Sequence, residues 1–185
     1  MAQTETEKGS AKPARKPPKR KQVEAHIRSM FDALARRDAE AIGEHWRDDG
    51  VDEIVPIGVF RGRREIVDFF RELFAAVPDL ETSLTRVVTS DRLAAAEWRV
   101  VGNFTGAPFL GVDPTGRRVE LRGFDMFEVE DGQIVANTAY YDGAAWARQV
   151  GMLPAKDSGA ERAITSAFNT VTKLRKAVAE RASGE

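Results

Sequence analysis

Two aspartates stand on strand faces that are otherwise apolar. Asp125 lies within residues 117–129, and Asp142 follows residues 133–141. Side chains alternate sides along a strand. Asp125 therefore shares a face with Val119, Leu121, Gly123, Phe127 and Val129, and Asp142 shares one with Tyr140, Thr138 and Ala136. A carboxyl drawn out of water onto such a face has its pKa raised by desolvation. That is the property a general acid or base needs to remove a proton beside a carbonyl near neutral pH. Two acids facing one cavity would also push their pKa values apart, as an acid–base site requires. Tyr140 offers a hydroxyl, and Trp98 and Phe104 offer apolar walls. The candidate site residues are Asp142 and Asp125, with Tyr140, Thr138, Trp98 and Phe104 around a pocket.

Each of these residues has a plainer reading. Asp142 directly precedes a helical segment, where Asp is a favoured N-cap. Asp125 could accept from a backbone amide or pair with Arg99 or Arg122. Tyr140 could be a core aromatic whose hydroxyl reaches a local partner.

Other chemistries lack their parts. Cysteine is absent, which removes disulfides, thiolate nucleophiles and Cys-ligated metals. His26 and His45 are the two histidines, and both flank apolar helical positions in a structural setting. Neither H-x3-H nor HExxH spacing occurs, and no nucleophile elbow or phosphate-cradling glycine loop is present. No metal and no cofactor are expected.

The elements that must carry these residues are legible from periodicity. Val23, Ile27, Met30, Phe31 and Leu34 form one stripe of a helix over 22–37. Asp38 suits the N-cap of a short helix running to Trp46. Residues 51–60 read as strand, with Pro56 forcing a bulge, edge or turn. Ile66, Phe69, Phe70, Leu73 and Phe74 mark a third helix over 63–76, stopped by Pro78. Strands follow at 82–89, 93–104, 117–129 and 133–142, with turn signals at Pro114-Thr115-Gly116 and a type I′ hairpin signal at Asp131-Gly132. A short helix is expected at 143–151. Three helices followed by a strand meander predict an α+β fold, a cone-shaped barrel with the helices packed on a curved antiparallel sheet. Such a bent sheet leaves a cavity suited to a small, largely apolar molecule.

Both termini add something. Residues 1–21 hold seven Lys/Arg, two Glu and three Pro and almost no large apolar side chain, so this basic tail is expected to be disordered. No aromatic residue interleaves its charges, and no strong nucleic-acid signal results. The formal net charge is −1, so the remainder is mildly acidic. A domain is expected over 22–153. Residues 157–183 form a further amphipathic helix: Ser158 and Glu161 make a capping box, and Ile164, Ala167, Val171, Leu174 and Val178 recur at steps of three and four. It could dock in cis, bind a partner or mediate a homodimer. No apolar run is long enough to span a membrane and no apolar leader follows the start, so a cytoplasmic protein without a signal peptide is expected.

Over residues 22–152 the chain resembles the SnoaL-like polyketide cyclases and ester cyclases of the nuclear-transport-factor-2-like superfamily. The resemblance rests on GNFTG at 102–106, on Pro114-Thr115-Gly116-Arg117 with Val119, and on Arg122-Gly123 with Asp125 and Phe127. It continues through Asp131-Gly132 with Ile134-Val135 and Asp142 followed by Gln149-Val150-Gly151, a D-x6-Q-[LV]-G spacing. FRGRREIVDFF, AAVPDL and Trp98 add to it. The chain departs from the family in having Phe104 where His is frequent, Val55 before Pro56 where His or Asp is frequent, and Thr138 where Trp is frequent. The resemblance implies a cofactor-independent ring closure on a hydrophobic, polyketide-like carbonyl substrate, with Asp142 at the position of the acid–base aspartate. A non-catalytic ligand-binding or dimerising module is the alternative, followed by epoxide hydrolysis through Arg99, Asp125 and Asp142.

Overall fold

The computed structural model describes residues 19–182, so the expected basic tail lies largely outside the described residues. Lys19–Lys21 already belong to the first helix, α1 (Lys19–Ala35). A short α2 (Ala39–Glu44) follows, capped by Asp38, whose side chain accepts from the Ala41 N–H. The chain then runs through β1 (Trp46–Ile54), β2 (Gly58–Arg61), α3 (Gly62–Ala76), β3 (Glu81–Thr89), β4 (Leu93–Asn103), β5 (Arg118–Glu130) and β6 (Gln133–Tyr141). It ends with α4 (Gly143–Val150) and α5 (Gly159–Ala182).

The six strands form one curved, unclosed sheet in the order β2-β1-β6-β5-β4-β3. The architecture is α+β, with α1 packed on β3, α3 on β1 and α4 on β5. Three local expectations are corrected. Trp46 opens β1 rather than closing α2, and its indole is buried in the core beneath α1. The strand expected over 51–60 is a hairpin, β1 and β2, which turns at Val55–Ile57 where Pro56 cannot continue a ladder. The sheet is not wholly antiparallel, because β1 lies parallel to β6. The β5–β6 turn is as expected: Asp131 and Gly132 both take positive φ, 47° and 80°, the requirement of a type I′ turn.

The core divides into two apolar clusters. One gathers Ile27, Phe31, Trp46, Phe127 and Ile134 at the α1 end. The other gathers Phe69, Phe104, Phe109, Val119, Ala139 and Val150 beneath α3 and α4. A cavity lies where the two meet.

Candidate active site

The cavity has a volume of about 140 Å³. Apolar cavities of roughly 150 Å³ accommodate a single benzene ring. Its walls are mostly apolar and rich in aromatic rings: Phe31 from α1, Phe69 and Phe70 from α3, Trp98 from β4, Phe104 and Phe109 from the segment after β4, and Trp146 from α4. Into this setting project Asp52 from β1, Asn137 and Tyr141 from β6, Asp125 from β5 and Thr82 from β3.

Strand register explains why these polar residues share a face. Asn137 pairs directly with Asp52 across β6 and β1, and Ala139 pairs with Asp125 across β6 and β5. Residues 137, 139 and 141 therefore point to the side that Asp125 occupies. Earlier in β6, Ile134 is also buried on that side, which is out of step with 137 by one residue. The register slips between Glu128 and Val129 of the partner strand, opposite Val135, and absorbs the difference. A bulge of one residue exchanges the two faces of everything beyond it.

Asp52 is 2% exposed, Asp125 8% and Asn137 5%. The Asn137 Nδ2 donates to Asp52 Oδ1 at 2.9 Å, which fixes the amide orientation. Burial pushes the Asp52 carboxyl up to about 7, and the Asn137 bond partly opposes this by favouring the carboxylate. Burial pushes Asp125 up to about 8, opposed by a hydrogen bond from Trp98 and reinforced by negative charge on Asp52. The two acids titrate as a pair, and within this apolar shell ionising one disfavours ionising the other. Burial also raises the Tyr141 phenol to about 12, so it remains a donor at neutral pH. Asp125 Oδ1, Asn137 Oδ1 and Thr82 Oγ1 are buried without a hydrogen-bond partner. Such groups cost free energy until a partner arrives, so the cavity carries unspent polar capacity in an apolar shell.

The residues named from sequence fall into two groups. Asp125, Trp98 and Phe104 line the cavity. Asp142, Tyr140 and Thr138 do not, because the β6 bulge turns their face outward, and Tyr140 is 52% exposed. Asp142 caps α4, its Oδ1 accepting from the Ala145 N–H at 2.9 Å. The rest of the D-x6-Q-V-G segment frames the same helix. Gln149 Oε1 accepts from Glu120 N at 2.6 Å while its Nε2 donates to Glu120 O at 2.8 Å, tethering α4 to β5. Val150 is buried, and Gly151 closes the helix in the left-handed region at φ 93°. This frame holds the Trp146 indole against the cavity. Among the described residues Asp125 has no ion-pair partner: Arg99 pairs with Glu120 at 2.7 Å on the opposite face of the sheet. The structure does not bring Arg99, Asp125 and Asp142 together.

Asp52, Asn137 and Tyr141 were missed. Asp52 carried a usable signal, since it alternates with Ile54 on the buried side of β1 just as Asp125 alternates with Phe127. Asn137 and Tyr141 carried none that survives the bulge. The histidines pack on each other, with ring centroids 4.7 Å apart, and burial lowers the pKa of both, that of His45 to about 4. Among the described residues no group of three or more His, Cys, Asp or Glu is placed to hold a metal ion. No helix among them is long and apolar enough to cross a membrane.

Solved structures share this fold. A SnoaL-like protein from Jannaschia sp. CCS1 superposes with a TM-score of 0.67 at 21% identity, covering 76% of this chain and 99% of that one. IdmH from Streptomyces antibioticus, named for polyketide cyclisation, does so with a TM-score of 0.59 at 25% identity, over 69% of this chain and 97% of its own. A Catenulispora acidiphila protein of ketosteroid isomerase-like fold, in complex with trimethylamine, gives 0.59 at 19% identity, covering 72% and 96%. No functionally curated protein matches the chain. The family model for SnoaL-like polyketide cyclases matches residues 24–150, nearly the whole of the sheet and the helices that roof it. With the matched segment enclosing both buried acids and the α4 frame, this chain belongs to the SnoaL-like polyketide cyclase family.

Proposed function

We propose that the cavity binds a small, largely apolar, carbonyl-bearing molecule and that Asp52 and Asp125 catalyse proton transfer on it. The observation that carries this reading is the presence of two buried carboxyls, Asp52 and Asp125, in one apolar cavity. Asp52 is the base, because the Asn137 amide favours its ionised form. Asp125 is the acid, because its pKa is the higher of the two and the charge on Asp52 keeps it protonated. Asp52 removes a proton from the carbon beside the ligand carbonyl. The C–H electron pair becomes the C=C bond of an enolate while the carbonyl π pair moves to oxygen, and the Asp125 hydroxyl hydrogen bonds to the charge developing there. The enolate carbon then either attacks a second carbonyl of the same molecule, closing a ring as the family name suggests, with the new alkoxide taking the proton held by Asp52, or takes that proton back at another position. Tyr141 supplies a further donor at the cavity wall, and Trp98 orients Asp125.

The test is exchange of α-protons for deuterium, followed by NMR, on acetophenone and on an aryl β-keto ester. The expected result is exchange above the buffer rate that falls by at least ~100-fold, a general acid–base magnitude, in both Asp52→Asn and Asp125→Asn. Exchange indistinguishable from buffer with the native chain, while either compound quenches the cavity tryptophans, would leave a binding module without turnover and end the catalytic reading.

A further inference from the structure

Helix α5 presents an unusual surface. Ile164, Phe168, Val171, Leu174 and Val178 are each between 47% and 69% exposed, although they form one continuous stripe on a helix of 24 residues. The helix is pinned to the domain at its start. Ser158 Oγ accepts from Glu161 N at 3.1 Å, Glu161 Oε2 accepts from Asp157 N at 2.6 Å, and Arg148 of α4 pairs with Glu161 at 2.9 Å. Beyond that anchor Ile164, Phe168, Val171, Leu174 and Val178 face water. An isolated helix of this length gains little from propensity alone, so the stripe needs a covering surface.

The residue pattern identifies the cover. Ile164, Val171 and Val178 recur every seven residues, and Ala160, Ala167 and Leu174 recur every seven on the flanking row. These are the a and d rows of a two-helix seam. Laid parallel to a second copy, equivalent positions would face one another and Ala160 and Ala167 would each meet only alanine, leaving voids. Laid antiparallel, each a position faces a d position of the partner. Ala160 then meets a valine at the Val178 position and Ala167 meets one at the Val171 position, so each alanine faces a larger side chain, while Ile164 meets a leucine at the Leu174 position. The same arrangement sets Phe168 against its own equivalent at the two-fold axis. It also brings Glu161 beside an arginine at the Arg175 position, twice by symmetry, joining opposite charges at both ends.

We infer that α5 is a dimerisation helix that pairs antiparallel with α5 of a second copy of this chain. The interface is isologous, as two-fold symmetry requires, and leaves each cavity complete within its own chain. The apolar side chains involved contribute little to their own domain, so replacing them leaves the fold intact.

The test uses the full chain in sedimentation equilibrium and light scattering across a concentration series. The expected result is a dimer that becomes a monomer in the double variant Ile164→Glu, Leu174→Glu, with unchanged far-UV circular dichroism of the domain. Because the chain has no cysteine, orientation is read by single cysteines under mild oxidation. Phe168→Cys cross-links in the antiparallel pair, whereas Ala160→Cys does not. A native chain that stays monomeric to about 100 μM, a typical weak-dimer range, overturns the inference. So does a dimer that survives the double variant, or efficient cross-linking through Ala160→Cys in place of Phe168→Cys.

Discussion

Asn137 on β6 lies directly across from Asp52 on β1, and its Nδ2 donates to Asp52 Oδ1 at 2.9 Å. Committing the amide nitrogen in this way leaves Asn137 Oδ1 buried without a hydrogen-bond partner and gives one of the two cavity acids a donor for its charged form. The two acids are thereby made unequal. Removing the amide with Asn137→Leu should raise the Asp52 pKa further and shift the onset of α-proton exchange to higher pH. Carboxyl carbon chemical shifts across a pH titration check this directly.

The rate of exchange should depend on pH through the acid pair as a unit. With apparent pKa values near 7 and 8, activity should rise as Asp52 ionises and fall as Asp125 does, giving a narrow bell. Asp125→Asn should abolish the alkaline limb while keeping the acid one. A profile that is flat from pH 6 to pH 9 would exclude these two groups.

The same shifts set stability. Both folded-state pKa values are raised above the unfolded value of 3.8, so the folded chain binds more protons than the unfolded chain between that value and about 8. Stability therefore falls as pH rises through this window, opposite in sign to a carboxylate held by an ion pair. Asp125→Asn removes one such group and should be more stable than the native chain at pH 8 by on the order of 2–4 kcal/mol. At pH 4 the gain should be far smaller. Urea midpoints at the two pH values decide the sign.

Asp142→Ala removes the cap on α4 and should cost roughly 1 kcal/mol of stability, while leaving α-proton exchange within a few-fold of native. Loss of exchange by ~100-fold or more at an unchanged melting temperature would return the catalytic role to Asp142.

Gly123 sits beneath Trp98 across the β4–β5 ladder, and a Cβ there would overlap the indole ring. Gly123→Ala should displace Trp98 from the cavity wall and from Asp125, costing about 1–3 kcal/mol through overpacking. Tryptophan fluorescence should shift in parallel with a weakened bell in the pH profile.

Most of the fold was legible because its signals are local. Periodic stripes placed α1 and α3, and Asp131-Gly132 placed the hairpin that joins β5 to β6. Asp125 was legible for the same reason, since β5 alternates without interruption along its length. Asp142 misled because β6 does not. Counting by twos from Ile134 leads to Ala136, Thr138, Tyr140 and Asp142, whereas the bulge opposite Glu128 and Val129 delivers Asn137, Ala139 and Tyr141 to the cavity. A bulge is decided by pairing between strands and leaves no mark on the alternation of one strand. The parallel pairing of β1 with β6 was equally invisible, because it joins segments distant in sequence.

That pairing has a consequence for how the chain matures. β1 is made early but finds its inner neighbour only in β6, and Asp52 and Asn137 are 85 residues apart. Until the last strand has left the ribosome, β1 has only the short β2 beside it, and the acid pair exists as two unrelated carboxyls in water. A nascent or truncated chain lacking β6 carries all of Asp52, Trp98 and Asp125 and yet none of the electrostatics that would make them a catalyst.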